Sequence, residues 1–178
     1  TWQRATWIVL CLVVCWILEG AFPLFRFNYK KWKHAGVNFV FLSTTMVINI
    51  LFGVATVGVF EWIKANEFGL TYLIDWPIWA ELLMCVLIFE FMAQYIIHYM
   101  LHRVKWMWRF HLVHHTDTNV DTTTANRHHP GESIFRFVFT AAGVIVCGAP
   151  IGLVFLYQSL SAALSQFNHA NIQFPKWL

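Results

Sequence analysis

Residues 77–115 read PIWAELLMCVLIFEFMAQYIIHYMLHRVKWMWRFHLVHH, an apolar segment that runs directly into closely spaced histidines. The apolar part, Pro77 to Leu101, is long enough to cross a hydrocarbon core of about 30 Å as a helix. The histidines form two motifs, His98-x-x-x-His102 and His111-x-x-His114-His115. This stretch therefore predicts a membrane-spanning helix that ends in a cluster of imidazoles.

The spacing of the histidines suits metal binding, because helix residues three or four positions apart project from one face. His98 and His102 can therefore share one metal ion. His111 lies one turn from both His114 and His115. Neutral imidazole binds iron, zinc, copper or nickel, and the histidines outnumber the ligands of one tetrahedral zinc ion. Two alternatives remain open at this point: two metal ions, or one metal ion surrounded by histidines that do not bind it.

The composition of the chain is that of a membrane protein. Of its 178 residues, 58% are hydrophobic and only 12% are charged, which is rare in a soluble domain of this size. Besides Pro77 to Leu101, the runs Trp7 to Phe25 and Val37 to Phe60 are long enough to span a bilayer. We therefore expect an all-α integral membrane protein with about three full transmembrane helices.

Two shorter apolar runs follow the histidine-rich region. Ser133 to Cys147 and Ile151 to Phe167 are separated by Gly148-Ala149-Pro150, which predicts a break. Each run is short for a full crossing, so we expect a helical hairpin that enters the membrane and returns. The hairpin would bring His169 to the face of the other histidines, whereas a single long crossing would leave it on the opposite side.

The charges of the connections indicate an orientation. Basic residues crowd residues 26–36, whereas the next connection, residues 61–76, also carries acidic side chains. The positive-inside rule then places residues 26–36 and the histidine cluster in the cytoplasm. We interpret residues 103–132 as a cytoplasmic, histidine-rich metal-binding cap within one membrane domain, residues 1–178.

Several other function classes are disfavoured. The net charge is +3 and the basic residues flank apolar segments, so we expect contact with lipid head groups and not with nucleic acid. The 4 cysteines lie in apolar stretches without a C-x-x-C pair, which argues against a disulfide framework, a zinc ribbon or an iron–sulfur cluster. We expect them to be packing residues.

Four sequence blocks carry a family resemblance: residues 98–103 (HYMLHR), 108–117 (WRFHLVHHTD), 121–132 (DTTTANRHHPGE) and 166–172 (QFNHANI). In this order they resemble the sterol desaturase and fatty acid hydroxylase superfamily, in particular its bacterial members. The resemblance implies a membrane enzyme with two iron ions that uses dioxygen to hydroxylate, or desaturate, a lipid or sterol-like substrate. Hydroxylation is the simpler outcome, and the electrons would come from a separate protein similar to cytochrome b5 or a ferredoxin.

The resemblance also implies which side chains bind the iron ions. The matching positions are His98, His102, His111, His114, His115 and His169. His129 matches a histidine before proline, and it could be a ligand or a partner of a ligand. The superfamily has a further H-x-x-H-H motif downstream, which does not occur before Leu178. We therefore expect the sequence to be a fragment that lacks the C-terminal part of the domain.

Carboxylates are expected near the metal ligands, because ligating histidines usually donate their second ring nitrogen to a carboxylate or a carbonyl. Asp121 and Glu132 are candidates for this role, although each could instead cap a helix or pair with an arginine. Glu90 precedes His98 by two turns, and a carboxyl group inside a membrane is costly unless it is paired. We expect Glu90 to lie near a substrate tunnel or to hydrogen-bond a ligand histidine.

Two other functions stay open from the residues alone. A zinc-dependent membrane hydrolase needs only histidines and a carboxylate base, although the H-E-x-x-H motif is absent. A haem-binding electron carrier would use paired axial histidines. For the oxygenase, the membrane would be the bacterial inner membrane or the endoplasmic reticulum.

Overall fold

A computed structural model describes the chain from residue 2 to residue 174, with side chains from residue 6 onward. Within this range the regular structure is helical, which confirms the predicted all-α class, and one isolated β-bridge joins Pro23 to Ile172. A π-helix, Glu90–Ile96, links α3 to α4, and short 3-10 helices cover Leu70–Tyr72 and Thr122–Asn126. The α-helices are α1 (Trp2–Ala21), α2 (Lys31–Asn66), α3 (Ile78–Phe89), α4 (Ile97–Arg103), α5 (Lys105–His115), α6 (Pro130–Cys147) and α7 (Ile151–His169).

Three helical segments among the described residues are long and apolar enough to cross a membrane: Lys31–Tyr72, Ile78–Arg103 and Pro130–Cys147. The number of candidate membrane-spanning helices agrees with the prediction, but Pro130–Cys147 takes the place of the span that was expected near the N-terminus. The expected span from Trp7 to Phe25 ends earlier in the structure, because α1 runs from Trp2 to Ala21. Pro23 lies two residues after Ala21, and proline cannot continue the hydrogen bonding of a helix.

The α6–α7 hairpin forms as predicted. α6 ends before Gly148, whose N–H donates a hydrogen bond to the Val144 carbonyl and whose backbone is left-handed, at φ 72°. Pro150 then precedes the first residue of α7. Because α7 runs back toward α5, His169 lies at the same end of the bundle as that helix. At the opposite end, the hydroxyl of Thr71 donates to the Gly148 carbonyl at 2.9 Å.

The main core lies where α3, α6 and α7 meet. Its fully or nearly fully buried side chains include Cys85, Phe89, Val144, Cys147 and Tyr157. A smaller core joins α4 to α5. The cysteines that occur in these cores are free thiols that fill space, as expected.

The buried carboxylate of Glu19 joins four distant segments around the cap loop. The Glu19 side chain, with 0% exposure, accepts hydrogen bonds from the backbone N–H groups of Thr122 at 3.0 Å and Asn171 at 3.1 Å. Its other oxygen pairs with the Lys31 ammonium group at 2.8 Å. Glu19 thus holds the end of α1, the start of α2, the cap loop and the segment after α7 together.

Candidate metal centre

Histidines from four parts of the chain converge at one end of the helical bundle. α4 and α5 are consecutive helices that meet at Val104, where the backbone is extended, so that the histidine faces of both turn toward each other. α7 brings a further histidine back from the opposite end of the bundle. The ring contacts join His98, His102, His111, His114, His115, His128 and His169.

The Nε2 atoms of these rings face one another in pairs. Two facing Nε2 atoms at hydrogen-bond distance need a proton on one ring, or a cation between them, because a neutral imidazole carries one N–H and one lone pair. The pairs are His98 with His102 at 3.1 Å, His111 with His115 at 3.2 Å, and His114 with His169 at 3.2 Å. Such convergent donor atoms are the arrangement that a metal ion requires.

Two groups of possible ligand atoms stand out among the described residues. In each group, one ligand atom per residue lies within 4.8 Å of the others. His111 is fully buried and belongs to both groups, so it occupies the middle of the cluster. The groups are His98, His102 and His111, and His111, His128 and Glu132.

Glu132 orients the middle of the cluster from the first turn of α6. Its carboxylate is fully buried, with one oxygen 3.1 Å from Nδ1 of His111 and the other 3.3 Å from Nδ1 of His128. Arg136 donates to the same carboxylate at 2.7 Å and balances its charge. Because Nδ1 of His111 points at Glu132, Nε2 is left to face the other histidines.

The electrostatics favour neutral imidazoles in the cap. Burial, together with the neighbouring histidines, lowers the pKa of His114 to about 3. Burial also lowers the pKa of His115 and that of His128. Nδ1 of His114 is buried and has no hydrogen-bond partner among the described residues. Uncharged, partly unpartnered imidazoles are the donors that iron, zinc, copper or nickel binds, so this donor set fits a metal centre.

His128 joins the cluster, whereas sequence reasoning selected its neighbour His129. The ring of His128 stacks on His114 at 4.9 Å. His129 is the N-cap of α6, where its Nδ1 accepts the Gly131 N–H at 3.0 Å, and its ring packs on Phe110. The sequence contained a signal for this, because Pro130 favours the first helical position and marks His129 as the cap.

Asp121 contacts the cap loop, α2 and the segment before α2, and it has no hydrogen bond to a histidine of the cluster among the described residues. One of its oxygens caps the 3-10 helix through the N–H of Thr123 at 2.8 Å. The other accepts from the Tyr29 hydroxyl at 2.7 Å and lies 3.0 Å from Nδ1 of His34. His34 also contacts Asp117 at 2.8 Å. These contacts fix the cap loop to α2.

Glu90 lies at the start of the π-helix. Its carboxylate accepts a hydrogen bond from the Tyr157 hydroxyl at 3.0 Å, so its partner is a tyrosine and not a histidine of the cluster. Glu90 also lies on an open face of this helical segment, which continues along Gln94 to His98 and His102. Of the two predicted positions for Glu90, a hydrogen bond to a ligand histidine is not observed among the described residues, and a position near a substrate tunnel stays a prediction.

A second cavity, of about 590 Å³, leads from the histidines into the bundle. α2, the π-helix, α6 and α7 form its walls. His98, His111 and His114 lie at its cap end, and Phe60, Ile151 and Val154 are among its lining residues at the opposite end of these helices. A bound molecule in this cavity can therefore approach the proposed ligands from the membrane side.

Comparison with known proteins identifies the family. The ornithine lipid hydroxylase OlsE of Rhizobium tropici is 24% identical over 98 residues, which are 55% of this chain and 29% of that protein. The chain thus spans less than a third of the length of this relative. No solved structure matches the chain. The fatty acid hydroxylase family matches residues 82–178, more than half of the chain and the part that carries the histidine cluster. The chain belongs to the fatty acid hydroxylase family.

Proposed function

We propose that this protein is an integral membrane lipid hydroxylase whose histidine cluster holds two iron ions. The observation that carries the proposal is the convergence of imidazoles from α4, α5, α7 and the loop before α6 on one small volume. Family membership and three apolar helices of spanning length support a hydrophobic substrate in a bilayer.

The cluster offers ligands for two adjacent ions. His98, His102 and His111 would serve one ion, and His114, His128 and His169 surround the space for a second. When bound, two ferrous ions would supply the activation of dioxygen for oxidation of an unactivated C–H bond. The stoichiometry of hydroxylation is one C–H bond, one dioxygen, two electrons and two protons, which give one C–OH group and one water.

The protein residues would supply orientation and a neutral donor set. Glu132 accepts from Nδ1 of His111 and keeps Nε2 free for a metal ion. Burial keeps His114 uncharged at neutral pH, so that proton release need not precede metal binding. The cavity beneath the cluster would hold the substrate with its reacting carbon beside the histidines.

The cytoplasmic position of the cap and the electron donor belong to the same proposal. Basic side chains in residues 26–36, at the cap end of α2, support a cytoplasmic face by the positive-inside rule. On that face, a protein similar to cytochrome b5 or a ferredoxin would deliver one electron at a time. Cysteines placed at Lys33 and at Glu67 would be labelled from opposite sides of sealed vesicles if this orientation holds.

Metal analysis of the purified protein tests the proposal. Plasma mass spectrometry should find about two iron ions per chain, as a two-ion site requires. His111→Ala should lose most of the iron, because His111 lies between the two groups, while Lys105→Ala, exposed on the same helix, should retain it. One zinc ion and no iron would instead favour a zinc-dependent hydrolase, and a Soret band would favour a haem carrier.

A further inference from the structure

Trp108 packs against two histidine rings of the cluster at once. On α5 it precedes His111 by three residues and His115 by seven, so all three side chains project from one face of the helix. Its ring centroid lies 5.3 Å from that of His102 and 5.4 Å from that of His115, as in other packed aromatic pairs. The centroids of His102 and His115 are themselves 4.9 Å apart. The rings of Trp108, His102 and His115 therefore form one packed group.

His102 and His115 lack the hydrogen bond that orients other rings of the cluster. Nδ1 of His111 faces a carboxylate at 3.1 Å, and Nδ1 of His169 lies 2.7 Å from a backbone carbonyl oxygen. Such a bond at the second ring nitrogen holds a ligand histidine in one orientation. Nδ1 of His102 and Nδ1 of His115 have no hydrogen-bond partner among the described residues, and both residues are exposed. For these two rings, packing against Trp108 takes the place of that hydrogen bond.

The contacts of Trp108 reach one part of the cluster. Besides the rings of His102 and His115, its ring lies 6.2 Å from that of His111. Within the described part of the chain, it has no ring contact with the three histidines around the second proposed ion. Loss of Trp108 would therefore disturb the first ion position, which consists of His98, His102 and His111, and leave the second position in place.

We propose that Trp108 is a positioning residue for the first ion position, where it holds His102 and His115 with their Nε2 atoms turned toward the other histidines. The inference rests on the proposed metal centre and adds a residue on which one of its two ion positions depends. Ligands that are already oriented bind more tightly, because less conformational freedom is lost on binding. Aromatic packing contributes up to about tenfold per ring pair to an equilibrium constant.

Stepwise binding of Co²⁺ to the purified metal-free protein tests the inference without turnover. Co²⁺ stands in for Fe²⁺, because the two ions are neighbours in the affinity order of divalent metals. In competition with a calibrated chelator, Trp108→Leu should weaken one binding step by about tenfold or more and leave the other within about twofold. Trp108→Phe keeps an aromatic ring, so both of its steps should stay within about threefold of those of the unmodified protein.

Trp106→Leu is the matched control. Trp106 is an exposed tryptophan of the same helix that packs on Phe135, and it contacts no histidine ring among the described residues. Its replacement should leave both binding steps unchanged. A loss of affinity in this variant equal to that of Trp108→Leu would overturn the inference, because the effect would not depend on contact with the histidines.

The pattern of the two steps separates positioning from a general loss of structure. Equal weakening of both steps by Trp108→Leu, or no weakening of either, would overturn the inference and leave the metal centre standing. The same would follow if Trp108→Phe bound Co²⁺ as weakly as Trp108→Leu. An unmodified protein that binds no Co²⁺ would overturn the proposed metal centre, and the inference with it.

Fluorescence gives a second test that needs only the conservative variant. A paramagnetic Co²⁺ ion held by rings that touch an indole quenches the emission of that indole. The chain has 10 tryptophans, so the emission of the unmodified protein minus that of Trp108→Phe isolates the contribution of Trp108. We expect Co²⁺ to quench most of this difference signal. A difference signal that bound Co²⁺ leaves unchanged would overturn the inference, even if Trp108→Leu does not fold.

Discussion

Removing the Glu19 carboxylate should destabilise the protein more than any surface substitution. The side chain is fully buried and accepts two backbone N–H groups from segments that follow it by more than 100 residues. Glu19→Leu leaves both N–H groups unpaired, at about 1–3 kcal/mol each, and leaves the Lys31 ammonium group without its anion. We expect a loss of about 3–5 kcal/mol in the free energy of unfolding, within the range for a broken buried ion pair.

The intermediate substitution separates charge from hydrogen bonding. Glu19→Gln keeps one oxygen acceptor but loses the attraction to Lys31, so its loss should be smaller, about 1–3 kcal/mol. Lys31→Met in combination with Glu19→Leu should cost less than the sum of the two single changes, because the double variant has no unpaired charge.

Unfolding by sodium dodecyl sulfate in mixed micelles, followed by circular dichroism, measures these differences. Glu61→Gln is the control, because Glu61 is an exposed glutamate on α2. If Glu19→Leu unfolds within about 0.5 kcal/mol of the unmodified protein, as an ordinary surface substitution does, the contacts of Glu19 do not hold the cap as argued.

Three further predictions concern the cluster and the hairpin. Glu132→Gln should weaken iron binding at the proposed centre by about 10- to 100-fold, because His111 loses its carboxylate partner. Competition with a calibrated chelator measures the change in affinity, and an unchanged affinity would contradict the role of Glu132. Gly148→Ala should destabilise the hairpin by about 1–2 kcal/mol, because residue 148 has a left-handed backbone conformation. A Cβ at this position would also clash with the Phe68 carbonyl oxygen, from which it would lie 2.6 Å. Detergent unfolding measures the loss of stability, and Gly152→Ala is the control, because a Cβ at residue 152 meets open space. Metal-free protein should lose stability as the pH falls below about 6.5, which is the pKa of a histidine in an unfolded chain. The folded state lowers the pKa of His114 to about 3, so the unfolded chain binds a proton at a higher pH than the folded protein does. For this one proton, the free energy of unfolding changes by at most about 1.4 kcal/mol per pH unit, and His114→Phe should reduce this pH dependence. A free energy of unfolding that does not change between pH 7 and pH 5 would contradict the argument.

The helices that deliver the histidines could be predicted because their signals are local. The span from Pro77 to Leu101 is observed as Ile78–Arg103, and the break at Gly148 lies where the composition placed it. The π-helix inside this span, Glu90–Ile96, was not predicted from the sequence. The end of α1 at Ala21 was missed because apolar length was counted through Pro23, where the chain turns to pair with Ile172.

The missed residues depend on contacts between distant segments. Glu19 meets partners that follow it by 103 and 152 residues, and His34 meets aspartates that follow it by 83 and 87 residues. Spacing within a helix carries no information about such pairs. His128 and His129 differ by one position in a non-helical loop, and only the backbone at the start of α6 decides which ring turns toward His114.

The route of α7 has a consequence for biosynthesis. His98 leaves the ribosome roughly 70 residues before His169, which takes about 4–14 s at 5–20 residues per second. During that interval the nascent chain holds the histidines of α4 and α5 but not the one that faces His114. The pair of rings can form only after the hairpin has inserted and turned back. Loading of the proposed metal centre is therefore expected to follow membrane insertion, and a cell short of the metal would accumulate inserted apoprotein that can still be loaded.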